Sequence, residues 1–192
     1  DLSISHYLWY SINTMSKKVL SADNQQERPM TIIEPWYIVG FTEGEGTFHI
    51  ALYADPRMRQ KVKIIPEFHI NQSYLRISTL NEIQKYFGCG YIKQNHGKND
   101  YDTTYVYVVR DRDDLLNKII PFFRKYPLRS VKNESFLKFA FIVEMIKNGK
   151  HLKKTGVKKI IQLAYTMNVG GKYRLRKKEV LLKLLESSET TR

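Results

Sequence analysis

One cysteine, Cys89, stands in a chain of 192 residues, which leaves it no partner for an internal disulfide and excludes a zinc cluster built on thiolates. The five histidines (His6, His49, His69, His96, His151) lack the short spacings of a zinc-binding helix. No apolar run approaches the roughly 18 residues that cross a bilayer, so a membrane partner in that sense is not expected. Acids are scarce, at 19 Asp+Glu against 32 Lys+Arg, and the formal net charge is +13. From Lys147 to Lys178 there is no Asp or Glu at all, while Lys150, Lys153, Lys154, Lys158, Lys159, Arg174 and Arg176 fall inside that stretch. Charge of one sign repels itself unless a polyanion relieves it, so nucleic acid is the first partner to consider. An anionic membrane surface and a plainly solvated basic face are the alternatives. What is present, 42% hydrophobic and 27% charged residues, is ample for a core in one large domain or two small ones.

Residues 1–30 begin on Asp1, lack a signal-peptide core and read as an arm ending in the polar linker Ser21 to Arg28. The main domain is expected over 31–170, with a basic tail over 171–192. Pro35 suits a first helical position, and Trp36 to Phe41 is too apolar for a solvent face, which predicts a short buried helix ending near Gly44 or Gly46. Thr47 to Ala54 then alternates, with Phe48, Ile50 and Leu52 on one face. Val62 to Gln72 resumes a strand, in which Pro66 marks a bulge or an edge position. Leu75, Leu80, Ile83 and Phe87 space an amphipathic helix stopped by Gly88. A second hairpin follows, Tyr91 to Lys93 and Thr103 to Val109 around the loop HGKND, and then a helix from Asp113 to Phe123 whose last turn Pro121 should disturb. Helices over Asn133 to Lys147 and Val157 to Met167 close the chain, with a short one from Lys178 to Glu186.

The sharpest local pattern is Gly40-Phe41-Thr42-Glu43-Gly44-Glu45-Gly46. Glycines four apart share one helix face, and each costs about 1 kcal/mol relative to alanine, so a close backbone approach is the reason to keep them. Glu45 sits at the junction between helix and strand, where a carboxylate can hold Mg2+ together with waters and phosphate oxygens; Glu43 is its rival.

This segment, WYIVGFTEGEGTFHI, resembles the signature helix and first strand of the LAGLIDADG homing endonucleases, with Ile38 to Gly46 as the motif. HINQ, YFGCGYI, PFFRKYPLRSVKNESF and YTMN follow in the family's order, so the resemblance covers about Pro35 to Asn168. It implies an α+β fold: an αββαββα unit with a four-stranded antiparallel saddle sheet, followed by C-terminal helices. It also implies a double-strand DNA endonuclease of the intron-homing type. Two signature helices pack through Gly40 and Gly44, Glu45 is the essential acid, and the Gly44 carbonyl helps hold Mg2+ or Mn2+. Glu43 is structural in this reading. Gln72 matches a water-positioning residue, and the active-site lysine falls on Lys132 or, in another register, Arg129.

The sheet face expected on the major groove carries Thr47, His49, Tyr53, Lys63, Glu67, His69, Lys93 and Asn95, with Arg129, Lys153, Lys154, Lys158 and Lys159 as further nucleic-acid contacts. No second motif follows: Gly170-Gly171 lacks acids, and Gly149 and Gly156 lie in basic turns. A homodimer on a pseudo-palindromic site is therefore expected. Half of a two-motif protein, and a copy that has lost cleavage, are the other readings. An RNA-binding derivative of the fold, either an intron maturase or a structural component of a mitochondrial ribonucleoprotein or ribosome, also accounts for the charge. The Lys-, Ile-, Asn- and Tyr-rich vocabulary suits an AT-rich gene in a mitochondrion or plastid.

Overall fold

The computed structural model describes residues 33–95, 103–168, 174 and 176–187. The expected arm over 1–30, the HGKND loop and Lys172 lie outside these residues. Helix α1 (Pro35–Glu45) starts where expected, with Glu34 extended and Pro35 in the first turn. Only one side of it, Ile38, Val39 and Thr42, is buried. The apolar run that predicts a wholly buried helix therefore splits: Trp36 and Tyr37 remain about half exposed. The helix ends at Gly46, where a Cβ would stand 2.5 Å from Thr42 Cγ2 and 2.8 Å from the Thr42 carbonyl oxygen. That crowding requires glycine where the chain turns from helix into strand.

Strand β1 (Gly46–Ala54) pairs antiparallel with β2 (Val62–Ser73), from Gly46 opposite Ile70 to Ala54 opposite Val62. A 3-10 turn (Tyr74–Arg76) leads into α2 (Ile77–Phe87), which buries Leu80, Ile83 and Phe87 and stops at Gly88 with φ +57°. Leu75 departs from the expected apolar face. It lies in the tighter turn, out of phase with α2, and is 92% exposed. Strands β3 (Tyr91–Gln94) and β4 (Thr104–Val109) complete a four-stranded sheet of order β1-β2-β4-β3. Because β4 pairs with β2 only from Phe68 onward, Pro66 has a neighbour on the β1 side alone. The edge reading of that proline holds, since a residue without an N–H is tolerated where no second ladder needs it.

The next helical run has three parts, Arg112–Asp114, a π turn over Leu115–Ile119 and Ile120–Lys125, which together form α3. Asp111 caps it by accepting from the Asp113 and Asp114 amides, both at 3.0 Å. Pro121 does not disturb the end as expected. The π turn places it at the start of a fresh α-helical segment, where its missing N–H is harmless. Helices α4 (Lys132–Lys147), α5 (Lys154–Ala164) and α6 (Lys178–Glu186) follow, with a 3-10 turn (Lys150–Leu152) before α5. Leu181 and Leu185 of α6 are core residues, so this part of 171–192 is packed domain and not tail. Among the described residues no helix is long and apolar enough to cross a membrane.

The core lies between the sheet and the helices. Phe48 is its centre, with ring centroids of Phe68, Phe123, Phe136 and Phe139 within 5.1–5.5 Å. Burying one such ring contributes roughly 1.5–3 kcal/mol. The outer edge of β1 is closed by side chains: Asn168 Nδ2 donates to the Phe48 carbonyl at 2.8 Å and Arg174 Nη1 to the Ile50 carbonyl at 2.7 Å. Exposed strand edges invite unwanted pairing, and these two residues occupy the acceptors that would permit it.

Candidate functional site

The C-terminal end of α1 gathers the residues that carry chemistry. A helix C-terminus concentrates unpaired carbonyls and partial negative charge, which attracts a cation. Lys132, first residue of α4, supplies it: its Nζ donates to the Thr42 carbonyl at 2.7 Å and the Gly46 carbonyl at 2.6 Å. Burial pushes the Lys132 ammonium below its usual range, against the pull of the Glu43 and Glu45 carboxylates. Of the two registers open in the sequence, the structure brings Lys132 and not the Arg129 side chain to this point. Arg129 contributes its backbone amide, which donates to Glu43 Oε1 at 2.5 Å.

Glu43 is the clasp that seats the lysine. Its Oε1 also accepts from the Ser130 amide at 3.0 Å, and its other oxygen accepts from the Ser130 hydroxyl. Burial works to raise the Glu43 pKa, but the Ser130 and Arg129 hydrogen bonds and the Lys132 charge outweigh it and hold the carboxyl below its ordinary value. With both oxygens occupied, Glu43 is spent on structure. Glu45 is the contrast: it is exposed and makes no hydrogen bond or ion pair with another described residue.

Gly40 and Gly44 are exposed on the same side of α1, and a Cβ built at either meets nothing within 4 Å. Their smallness therefore serves nothing within the described chain. Tyr37 and Phe41 stack on that side at 6.0 Å, so an apolar stripe with two gaps leads down to Glu45. Gln72 lies on the helix-facing side of β2, two residues past the partner of Gly46, or roughly 7 Å along the strand. Its side-chain oxygen accepts from the Ser73 amide at 2.7 Å.

On the opposite face of the sheet, Thr47, His49 and Tyr53 stand across from His69, Glu67 and Lys63. Tyr53, Lys63, Lys93 and Asn95 are exposed there. Glu67 is not: only 4% of it is exposed, and it is paired with Arg110 and with His69, at 3.0 Å from His69 Nε2. The expectation that Glu67 itself meets base edges is thus corrected, because a cross-strand ion pair consumes it. Lys153, Lys154, Lys158 and Lys159 belong to α5 and the residue before it, in the helical layer and on no strand.

The LAGLIDADG endonuclease family, as a sequence model, matches residues 38–143. The chain belongs to this family. Among relatives, an uncharacterized 50.9 kDa protein in ND4 intron 1 of Podospora anserina is 36% identical over 128 residues, which is 66% of this chain and 27% of that protein. The homing endonuclease I-ApeII of Aeropyrum pernix is 26% identical over 153 residues, 78% of this chain and 88% of that one. The chain spans about a quarter of the length of the curated relatives that rank first, at 27% and 26%. Among solved structures, the archaeal intron-encoded homing endonuclease I-Vdi141I in complex with DNA superposes with a TM-score of 0.73 at 31% identity, over 81% of this chain and 96% of that one. The homing endonuclease I-TnaI gives 0.70 at 35%, over 82% and 99%. I-SmaMI on an uncleaved DNA target in the presence of calcium ions gives 0.67 at 27%, over 73% and 47%.

One residue of the LAGLIDADG sheet escapes the sequence reading. Arg110 follows β4 directly, and the alternation Val106, Val108, Arg110 puts it on the outer face beside Glu67, a signal available once the pairing of β2 with β4 is known. The same face carries a titrating group. Burial pushes His49 down to about 4, aided by the positive charges of Arg174 and His69 and opposed by Glu67. Its folded value lies below the ordinary 6.5, so His49 contributes stability that is complete above pH 6.5 and is lost as pH falls toward 4. At pH 5 the loss is about 2 kcal/mol. Urea midpoints at pH 7.5 and pH 5 should fall much less for His49→Gln than for the wild type; equal falls would assign the acid sensitivity elsewhere.

Proposed function

We propose that the chain is a site-specific endonuclease that hydrolyses both strands of a DNA duplex as a homodimer, with Mg2+ or Mn2+ at the Glu45 end of α1. The observation that carries this reading is Glu45 itself, an uncommitted exposed carboxylate beside a seated lysine at the foot of an apolar helix face with two gaps. Among the described residues no group of three or more His, Cys, Asp or Glu could hold a metal alone. Glu45 and the Gly44 carbonyl of each copy would hold such an ion, a hard oxygen donor set that suits a small divalent cation. When bound, the ion would supply an activated water and charge stabilisation at the leaving oxygen. The chain's own part is to place the carboxylate, to hold the helix end with Lys132, and to lay the outer sheet face along the major groove. The DNA-bound relatives support duplex DNA as the partner, and the ND4-intron relative supports an intron-encoded origin in a mitochondrion.

The homodimer has a test of its own. Gly40→Leu meets open space in the single chain and improves helix propensity by up to ~1 kcal/mol, so thermal stability of the chain should hold or rise. In sedimentation at micromolar concentration the wild type should have the mass of two chains and the variant that of one; a variant retaining two-chain mass would remove α1 from the interface. The activity is tested by cleavage of a randomised plasmid library with Mg2+. Tight binding of structured RNA with no duplex cut would overturn the nuclease reading in favour of an RNA-binding derivative of the fold.

A further inference from the structure

Glu67 is buried on the outer sheet face, near exposed Tyr53 and Lys63, an expensive place for a carboxylate unless it is paired. It has two partners: His69 Nε2 on one oxygen, at 3.0 Å, and Arg110 Nε on the other. The contact with Glu67 is through Nε, the guanidinium carries two further terminal nitrogens, and the side chain is 44% exposed. Arg110 and Glu67 line a depression of about 550 Å³ together with Tyr53 and Lys63. We infer that Arg110, braced by Glu67 and His69, is a base-reading residue that takes a guanine in the major groove of the target, and that Glu67 positions it.

The chemistry of the two cation types separates them. Lys63 and Lys93 carry point charges on flexible stems, suited to phosphates of any sequence. A guanidinium held at Nε has lost its freedom before binding, and its fork matches the O6 and N7 acceptors of guanine. Lysine at 110 cannot form that fork.

The inference rests on the duplex-DNA reading above, and one selection separates the two. Wild type, Arg110→Lys, Glu67→Gln and Lys63→Ala are each used to enrich duplexes from a randomised pool. The wild type should show a G·C requirement at symmetric positions, which Arg110→Lys relaxes by roughly tenfold to a hundredfold and Glu67→Gln relaxes at the same positions. Lys63→Ala should weaken binding across sequences without changing that preference. A wild type that enriches duplexes while Arg110→Lys keeps every base preference overturns the role of Arg110 and leaves the nuclease standing. A wild type that enriches no duplex overturns both.

Discussion

Glu45→Gln is expected to abolish DNA cleavage, by a factor on the order of a thousand or more, while leaving the fold and duplex affinity intact. The side chain is exposed and has no described hydrogen-bond partner, so an isosteric amide disturbs no packing. What it removes is negative charge at the point where, under the proposed function, a divalent ion would meet the scissile phosphate, a loss expected on the reaction path and not on the binding path. Gel-shift affinity and single-turnover cleavage, measured on one selected target, check both halves. Glu43→Gln provides the internal contrast, because its oxygens are committed to Arg129 and Ser130. It should lose stability first and cleavage only as the loop before α4 loosens. Equal cleavage by wild type and Glu45→Gln would show that Glu45 is not the acid.

The second large effect is expected at Lys132. Its ammonium has three protons, two of which are given to the Thr42 and Gly46 carbonyls. Under the proposed function the third, and the charge itself, remain for chemistry at the Glu45 end of α1. Lys132→Met should lower cleavage by roughly a hundredfold to a thousandfold and leave duplex binding within about tenfold. Since burial lowers the pKa of this lysine, the wild-type rate should decline on the alkaline side before an ordinary lysine would titrate, and Lys132→Met should lack that limb. Arginine is no close substitute, because its larger planar head has to seat where a single ammonium now fits between two carbonyls at 2.6–2.7 Å. A Lys132→Met variant with wild-type rate and profile would reduce the residue to a helix cap.

Local chemistry made much of the fold legible. Pro35 opens α1, Gly88 stops α2, and the alternation of Phe48, Ile50 and Leu52 defines the inner face of β1, each through interactions reaching only a few residues along the chain. Leu75 and Pro121 depart from the pattern their neighbours predict because 3-10 and π turns change helical phase, and nothing in the residue types announces those turns. The site divides in the same way. Glu45 is visible in a short motif with Glu43 as its rival; the resemblance to the family favours Glu45, and the hydrogen bonds from Arg129 and Ser130 show what occupies Glu43. Choosing between Lys132 and Arg129 needed the fold, since both lie on the segment that returns to α1 and only the geometry of Ser130 against Glu43 decides which cation arrives. Glu67 and Arg110 stand 43 positions apart in sequence, and their pairing depends on β4 lying beside β2 and not beside β1. Cross-strand order is a property of topology, so a carboxylate that reads as groove-facing along one strand becomes a brace when its neighbour is known.

Under the proposed function, two copies of this chain each contribute one Glu45 to a single cleavage event. Wild type and Glu45→Gln, co-expressed in equal amounts so that subunits assort at random, test it through the total rate of strand scission in the mixture, with single-strand nicks counted alongside double-strand breaks. If both carboxylates are required, only pairs of wild-type chains cut, and the rate should fall to about one quarter of the all-wild-type value. A fall to about one half would show that each chain acts with its own carboxylate, and would contradict the shared site.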